Sequence, residues 1–335
     1  MDESSHIPVT ATEIGSLWTQ YLTDSANVCV YSYFVEKVED PEIKPMLEHA
    51  LQLSKAHIQK ITAIMKKENR SIPHGFSLEE DVDLTAPRLY TDTYFLHNVH
   101  QMAAIGLTIY AGYVAASVRA DITEFYSSCL QETALLYKRS KDVLLSKGLY
   151  TRGPFMPVKA HVEYVEKQGF IWDVFAEKRP LTVMEISNLF ANIQRNGLGT
   201  ATIIGFSQVS QSKESTKYFL RGRDIAKKHI DKFARKMKEG NLPVPMTWDT
   251  DVTESTAYTF SDKLMMFVTT GLIMASIGYY GVSIAESPRA DLAMMYNKLS
   301  LEIQSYSEDG ANIMIENKWM EQPPMSANRN DLAAE

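Results

Sequence analysis

Displacing the chain on itself by about 170 residues brings matching strings into register, which restricts the fold to two copies of one unit. Thr10-Ala-Thr-Glu13-Ile14 falls on Thr182-Val-Met-Glu185-Ile186, and Lys55-Ala-His57-Ile58-Gln-Lys60 falls on Lys227-Lys-His229-Ile230-Asp-Lys232. At a slightly shorter displacement, Ser117-Val-Arg119-Ala120-Asp121-Ile122 falls on Ser287-Pro-Arg289-Ala290-Asp291-Leu292. The slip between the two registers belongs to a loop. A chain of 335 residues holds two domains of ordinary size, each able to bury a core without disulfides or metals.

Within each copy the apolar residues recur with helical period, so the fold class is all-α, two tandem four-helix bundles related by internal repeat. The helices are expected at about 10–37, 41–69, 91–116 and 118–147 in the first copy, and about 182–210, 213–240, 261–286 and 288–318 in the second. The longest connection of each unit joins its second helix to its third, which is the connectivity of ferritin-like bundles. Thr10 with Glu13, and Thr182 with Glu185, form Thr-x-x-Glu capping boxes at the two first helices. Ser287 before Pro288 reads as a cap with proline at the first helical position, and Ser117 is expected to cap the equivalent helix.

These marks divide the chain into a first bundle at 1–150, a linker at 151–180, a second bundle at 181–325 and a polar tail at 326–335. Gly153, Pro154, Pro157, Gly169 and Pro180 break the linker, while Trp172 and Phe175 suggest that it packs on the bundles. One short helix is expected in it near 158–168. The tail after Trp319 is expected to be extended and frayed.

Charge and cysteine usage narrow the partners and the compartment. With 41 acidic against 34 basic side chains the formal charge is -7, and no basic run builds the footprint that nucleic acid requires. Cys29 and Cys129 have no counterparts in the second copy, so no shared disulfide framework is expected. The start of the sequence lacks the pattern of a secretory signal, and a cytoplasmic location is the expectation. The 22 residues from Leu264 to Ala285 carry no charge and could span a bilayer by length. Gly271, Ser276, Gly278, Gly281 and Ser283 within it, and His97, Asn98, His100 and Gln101 in the matching stretch, favour a buried helix.

A di-metal carboxylate bundle needs a Glu from two helices and a Glu-x-x-His pair from the other two. His57 and His229 occupy the matched histidine position, but Ser54 and Ala226 stand where the paired Glu belongs. Glu132 and Glu302 occupy the matched acid position, with Leu135 and Ser305 where the His belongs. Asp24 is answered by Asn196, and no catalytic residue, metal site or cofactor is expected. The histidines are expected to hydrogen-bond to Glu132 and Glu302, with Tyr110 and Tyr280 matched nearby on the third helix. These six residues are the candidate ligand-binding set. Arg119 with Asp121, and Arg289 with Asp291, read as ion pairs fastening the corner between third and fourth helices.

The strings Arg179-Pro-Leu-Thr-Val-Met-Glu185, Gly205-Phe-Ser-Gln208, Phe260-Ser-Asp-Lys-Leu-Met-Met-Phe267 and Trp319-Met-Glu-Gln-Pro-Pro324 resemble domain-of-unknown-function family 3231 of endospore-forming bacteria. That resemblance covers nearly the whole chain. It implies tandem ferritin-like bundles, similar singly to the coat F protein, and a sporulation context with spore-coat proteins or a second copy as partners. It implies no catalytic residue.

Three functional readings follow. The first is a non-enzymatic structural or interaction protein whose small-residue third helices pack centrally, with Gly278 away from solvent. The second is a binder of a small apolar molecule beside His57 or His229, in a core made adaptable by 16 methionines. The third is a residual metal-binding protein.

Overall fold

A computed structural model describes residues 7–157, 161–166, 169–172 and 179–329. The first unit contains α1 (Ala11–Lys37), α2 (Lys44–Lys67), the single turn α3 (Leu78–Asp81), α4 (Asp92–Ala116) and α5 (Ala120–Ser146). A second short turn, α6 (Gly169–Trp172), precedes α7 (Val183–Val209), α8 (Lys213–Glu239), α9 (Asp262–Ala285) and α10 (Ala290–Glu316). The fold is all-α with a tandem repeat. Among the described residues there is no strand, and two isolated antiparallel bridges join Val82 to Phe260 and Tyr90 to Val252.

The duplicated sequence signals produce duplicated local structure. Thr10 and Thr182 accept from the backbone N–H of Glu13 and Glu185, whose carboxylates accept in return, so both capping boxes are closed. At the other ends, Asn69 and Asn241 both take positive φ just beyond α2 and α8, and Gly148 and Lys318 do the same beyond α5 and α10.

The fourth helices start later than the sequence suggests. Arg119 and Arg289 stand at their N-caps without a side-chain cap bond, and Ser117 instead donates to the carbonyl of Tyr113. A buried carboxylate takes over the capping work: Glu13 Oε1 accepts from the N–H groups of Val118 and Arg119 at 2.9 and 2.8 Å, and Glu185 accepts from Arg289 at 3.1 Å. Burial raises the Glu13 carboxyl, but the N–H groups of Arg119, Thr10 and Val118 and the Thr10 hydroxyl outweigh it and hold its pKa below the ordinary value. The expected corner pairs are present, with Arg119 on Asp121 at 2.7 Å and Arg289 on Asp291 at 2.9 Å.

The two units share one core. A continuous apolar cluster includes Phe34, Tyr90 and Phe95 of the first unit with Ile193, Phe206 and Met266 of the second. A smaller cluster around Leu17, Ile61 and Tyr126 fills the far half of the first bundle. The crossover loops exchange partners between units: Thr91, the N-cap of α4, donates to Asp251 at 2.7 Å, and Ser261, the N-cap of α9, donates to Asp81 at 2.6 Å. Matched positions thus make matched bonds across the boundary. Nearby, Tyr94 and Thr202 hydroxyls lie 2.7 Å apart, and the ring of His97 lies 4.7 Å from that of Trp248.

Three expectations about packing need correction. Gly278 is exposed, so α9 does not seat its glycines at the centre: Gly271, Met274, Gly278, Gly281 and Val282 form an open face. By length and composition α9 is apolar enough to cross a membrane, and 28% of that stretch is buried. Its period explains the difference, because Leu264, Met265, Met266, Thr269, Ile273, Tyr280 and Ser283 make the buried face and the glycines fall on the other. In the linker, residues 161–166 are not helical and the one turn falls at Gly169–Trp172, while 158–160, 167–168 and 173–178, including Phe175, lie outside the described residues. Tyr150 and Met156 pack on the core, whereas Phe155, Val162, Tyr164 and Val165 are exposed. Past Trp319 the chain is extended but anchored, since Glu321 accepts from the N–H groups of His74 and Gly75 at 2.8 and 2.6 Å.

Candidate functional site

The matched histidines stand on the second helix of each bundle, where α2 and α8 turn their apolar faces inward, and both are buried. Their surroundings differ. In the first unit His57 Nδ1 lies 3.2 Å from Asp24 Oδ2, and Gln20 Nε2 donates to the same oxygen at 2.6 Å and to the Tyr110 hydroxyl at 2.9 Å. His57 thus meets a carboxyl group through Nδ1. In the second unit Asn192 and Asn196 replace Gln20 and Asp24. There His229 Nδ1 lies 2.9 Å from the Tyr280 hydroxyl and Nε2 lies 3.3 Å from Glu302. Asn196 Nδ2 donates to Tyr280 at 3.0 Å.

The two imidazoles therefore turn the same ring nitrogen to different partners, a carboxyl group in the first unit and a phenol in the second. His229 donates from Nε2 to Glu302 and accepts from Tyr280 on Nδ1, and burial pushes its pKa below the ordinary value despite the opposing pull of Glu302. Burial also pushes the Tyr280 and Tyr110 hydroxyls well above theirs. Glu302, as expected, meets the histidine, and it also takes an ion pair from Lys228 at 2.6 Å. Glu132 does not: it lies half exposed, 3.6 Å from His49. The reason is Asp24, which satisfies His57 from α1 and leaves no role for an acid on α5. Sequence comparison discarded Asp24 because its counterpart is Asn196, yet the difference between them is what separates the two sites.

Each site offers one imidazole and one carboxylate, and a dinuclear centre requires about six anionic or imidazole donors. The residues do not fit such a centre. Among the described residues, no group of three or more His, Cys, Asp and Glu side chains is placed to hold a metal ion. Burial pushes the Cys29 thiol up to about 12 and raises that of Cys129, so neither is primed as a nucleophile.

Beside His229 the second bundle is not filled. A cavity of about 110 Å³ lies between α7, α8, α9 and α10 and is lined as well by residues of α1 and α4 of the first unit. Its walls are largely apolar, with Ile105, Leu198, Ile203, Ile225, Leu272 and Ile303 prominent. Of the six candidate residues only His229 lines it; His57, Tyr110, Glu132, Tyr280 and Glu302 do not. Arg195 also lines it and went unnoticed in the sequence, because its counterpart in the first copy is Thr23.

Two all-α bundles repeated in tandem, sharing a core and each burying a hydrogen-bonded imidazole, define a class of duplicated helical protein. The chain belongs to the family described as Protein of unknown function (DUF3231), whose model matches residues 3–162 and again 169–332. It is similar to a solved crystal structure described as a putative spore coat protein from Bacillus halodurans C-125, at 16% identity and a TM-score of 0.42, over 47% of this chain and 100% of that one. No curated protein matches the chain.

Proposed function

We propose that this protein binds a small apolar molecule in the cavity of its second bundle. The observation that carries this reading is the cavity itself, about 110 Å³ with an apolar lining, next to a buried neutral histidine and lined by residues of both units. Cores of this kind close-pack to the density of organic crystals, so an apolar recess of that size stands out as a place for a guest. The walls supply hydrocarbon and few polar groups, which suits an apolar guest.

A titration with a neutral solvatochromic dye tests this. Saturable blue-shifted emission is expected from the unaltered protein, and its loss in Leu272→Trp, which fills the cavity, assigns the signal to this site. Emission unchanged by that substitution would remove the reading.

A second reading, self-association as a non-enzymatic interaction protein, is favoured by the open face of α9, where exposed Met274 and Val282 flank Gly271, Gly278 and Gly281. Glycines let a second helix approach closely. Native mass spectrometry decides it: a dimer in the unaltered protein that becomes a monomer in Met274→Arg is the expected result.

A further inference from the structure

We propose that the guest of this cavity is an amphipathic monocarboxylate of the medium-chain fatty-acid class, with Arg195 holding the carboxylate and the apolar walls holding the tail. This rests on the cavity being a ligand site. Among the described residues the two fully buried arginines are paired, Arg119 with Asp121 and Glu68 and Arg289 with Asp291, and the partly buried Arg179 is paired with Glu185. Arg195 is not. Its guanidinium stacks on Tyr279 with Cζ 3.5 Å from the ring centroid, and Nη1 lies 3.5 Å from Asn192 Oδ1. Its Nε is buried without a hydrogen-bond partner, and no carboxylate pairs with it among the described residues.

A guanidinium carries five donors in a planar fork and cannot shed its proton to escape burial. Leaving it unpaired beside an apolar space is costly, and a carboxylate entering that space supplies what is missing. Burial lowers the Arg195 pKa, with only tyrosines opposing, which reports the same lack of a neighbouring anion. The arginine stands where the first unit has Thr23, so the cation occurs in the copy that has the cavity.

The shape favours a tail over a bare anion. Contacts of Asn188 with Glu286, Asn192 with Ser283 and Asn196 with Tyr280 show α7 and α9 running antiparallel. Arg195 and Tyr279 therefore mark one end of the cavity, and Ile203 and Val268 lie toward the other. The span from Val268 to Tyr279 along α9 is about 16 Å at the α-helical rise per residue. The charge of Arg195 thus stands toward one end of the lining.

The test is isothermal titration of the full chain with sodium octanoate, octan-1-ol and sodium acetate, repeated on Arg195→Met, with circular dichroism to establish that the variant is folded. Octanoate is expected to bind about tenfold or more tighter than octan-1-ol in the unaltered protein, and to lose that advantage in Arg195→Met. Acetate is expected to bind far more weakly than octanoate. If octan-1-ol binds as tightly as octanoate, or Arg195→Met leaves octanoate binding unchanged, the carboxylate assignment is overturned while the apolar site stands. If neither eight-carbon compound binds, both readings fall together. Should Arg195→Met not fold, Arg195→Lys serves in its place, because a single-point cation is expected to retain part of the preference for octanoate over the alcohol.

Discussion

The hydroxyl of Tyr90 donates to the carbonyl of Thr202 at 2.8 Å, and its ring occupies the space that a side chain at Gly205 would need. A Cβ there would stand 2.3 Å from the Tyr90 oxygen. Gly205→Ala is therefore expected to destabilise the protein by about 1–3 kcal/mol through overpacking at the boundary between units. Gly271→Ala, whose Cβ would meet nothing within 4 Å, is expected to stabilise α9 by up to about 1 kcal/mol through helix propensity. Urea denaturation of the two variants checks both signs.

The pair of His57 and Asp24 can be dissected by a double-mutant cycle. His57→Ala leaves a buried carboxylate with Gln20 as its remaining side-chain donor and is expected to cost about 3–5 kcal/mol. Adding Asp24→Asn, which copies the second unit, removes the stranded charge and is expected to restore part of that loss. Purely additive costs would show that the two side chains are not coupled.

Acid is expected to destabilise the fold through two buried histidines, His97 against Trp248 of the second unit and His100 against Tyr137 and Tyr150 of the first. Burial pushes His97 and His100 down to about 4, from an ordinary value of 6.5. As pH falls below 6.5 the unfolded chain takes up protons that the folded chain refuses, so stability present above 6.5 is lost progressively until about pH 4. The loss is at most roughly 3 kcal/mol per histidine. In His97→Phe, which keeps a ring against Trp248, the slope of denaturation midpoint against pH should fall by the share that His97 contributes. An unchanged slope would assign the acid sensitivity to other groups.

Lys318 takes φ of +58° at the position where the first unit has Gly148 at +69°. A left-handed backbone is strained for lysine and free for glycine. Lys318→Gly is expected to raise stability by about 0.5–1 kcal/mol, read as a higher thermal midpoint.

How much of this was legible in the sequence depended on whether a feature was repeated. Helix limits came within a few residues, because Thr10 and Thr182 carry complete capping boxes and the apolar period breaks at the same places twice. The matched His57, His229, Tyr110 and Tyr280 were legible as buried groups for the same reason. Asp24 and Arg195 were not, since comparison of the copies rewards identity and each of these lacks a counterpart. Periodicity also shows that a helix has an apolar face without showing what covers it, which is why Gly278 was placed inside when α9 leaves it in the open.

Thr91 begins α4 on a carboxylate from the second unit, and Ser261 begins α9 on one from the first. A chain cut between the repeats would take from each of these cap hydroxyls the carboxylate it donates to. Two halves built alike are in this way fastened by reciprocal bonds, each supplying the anchor for a helix start in its twin.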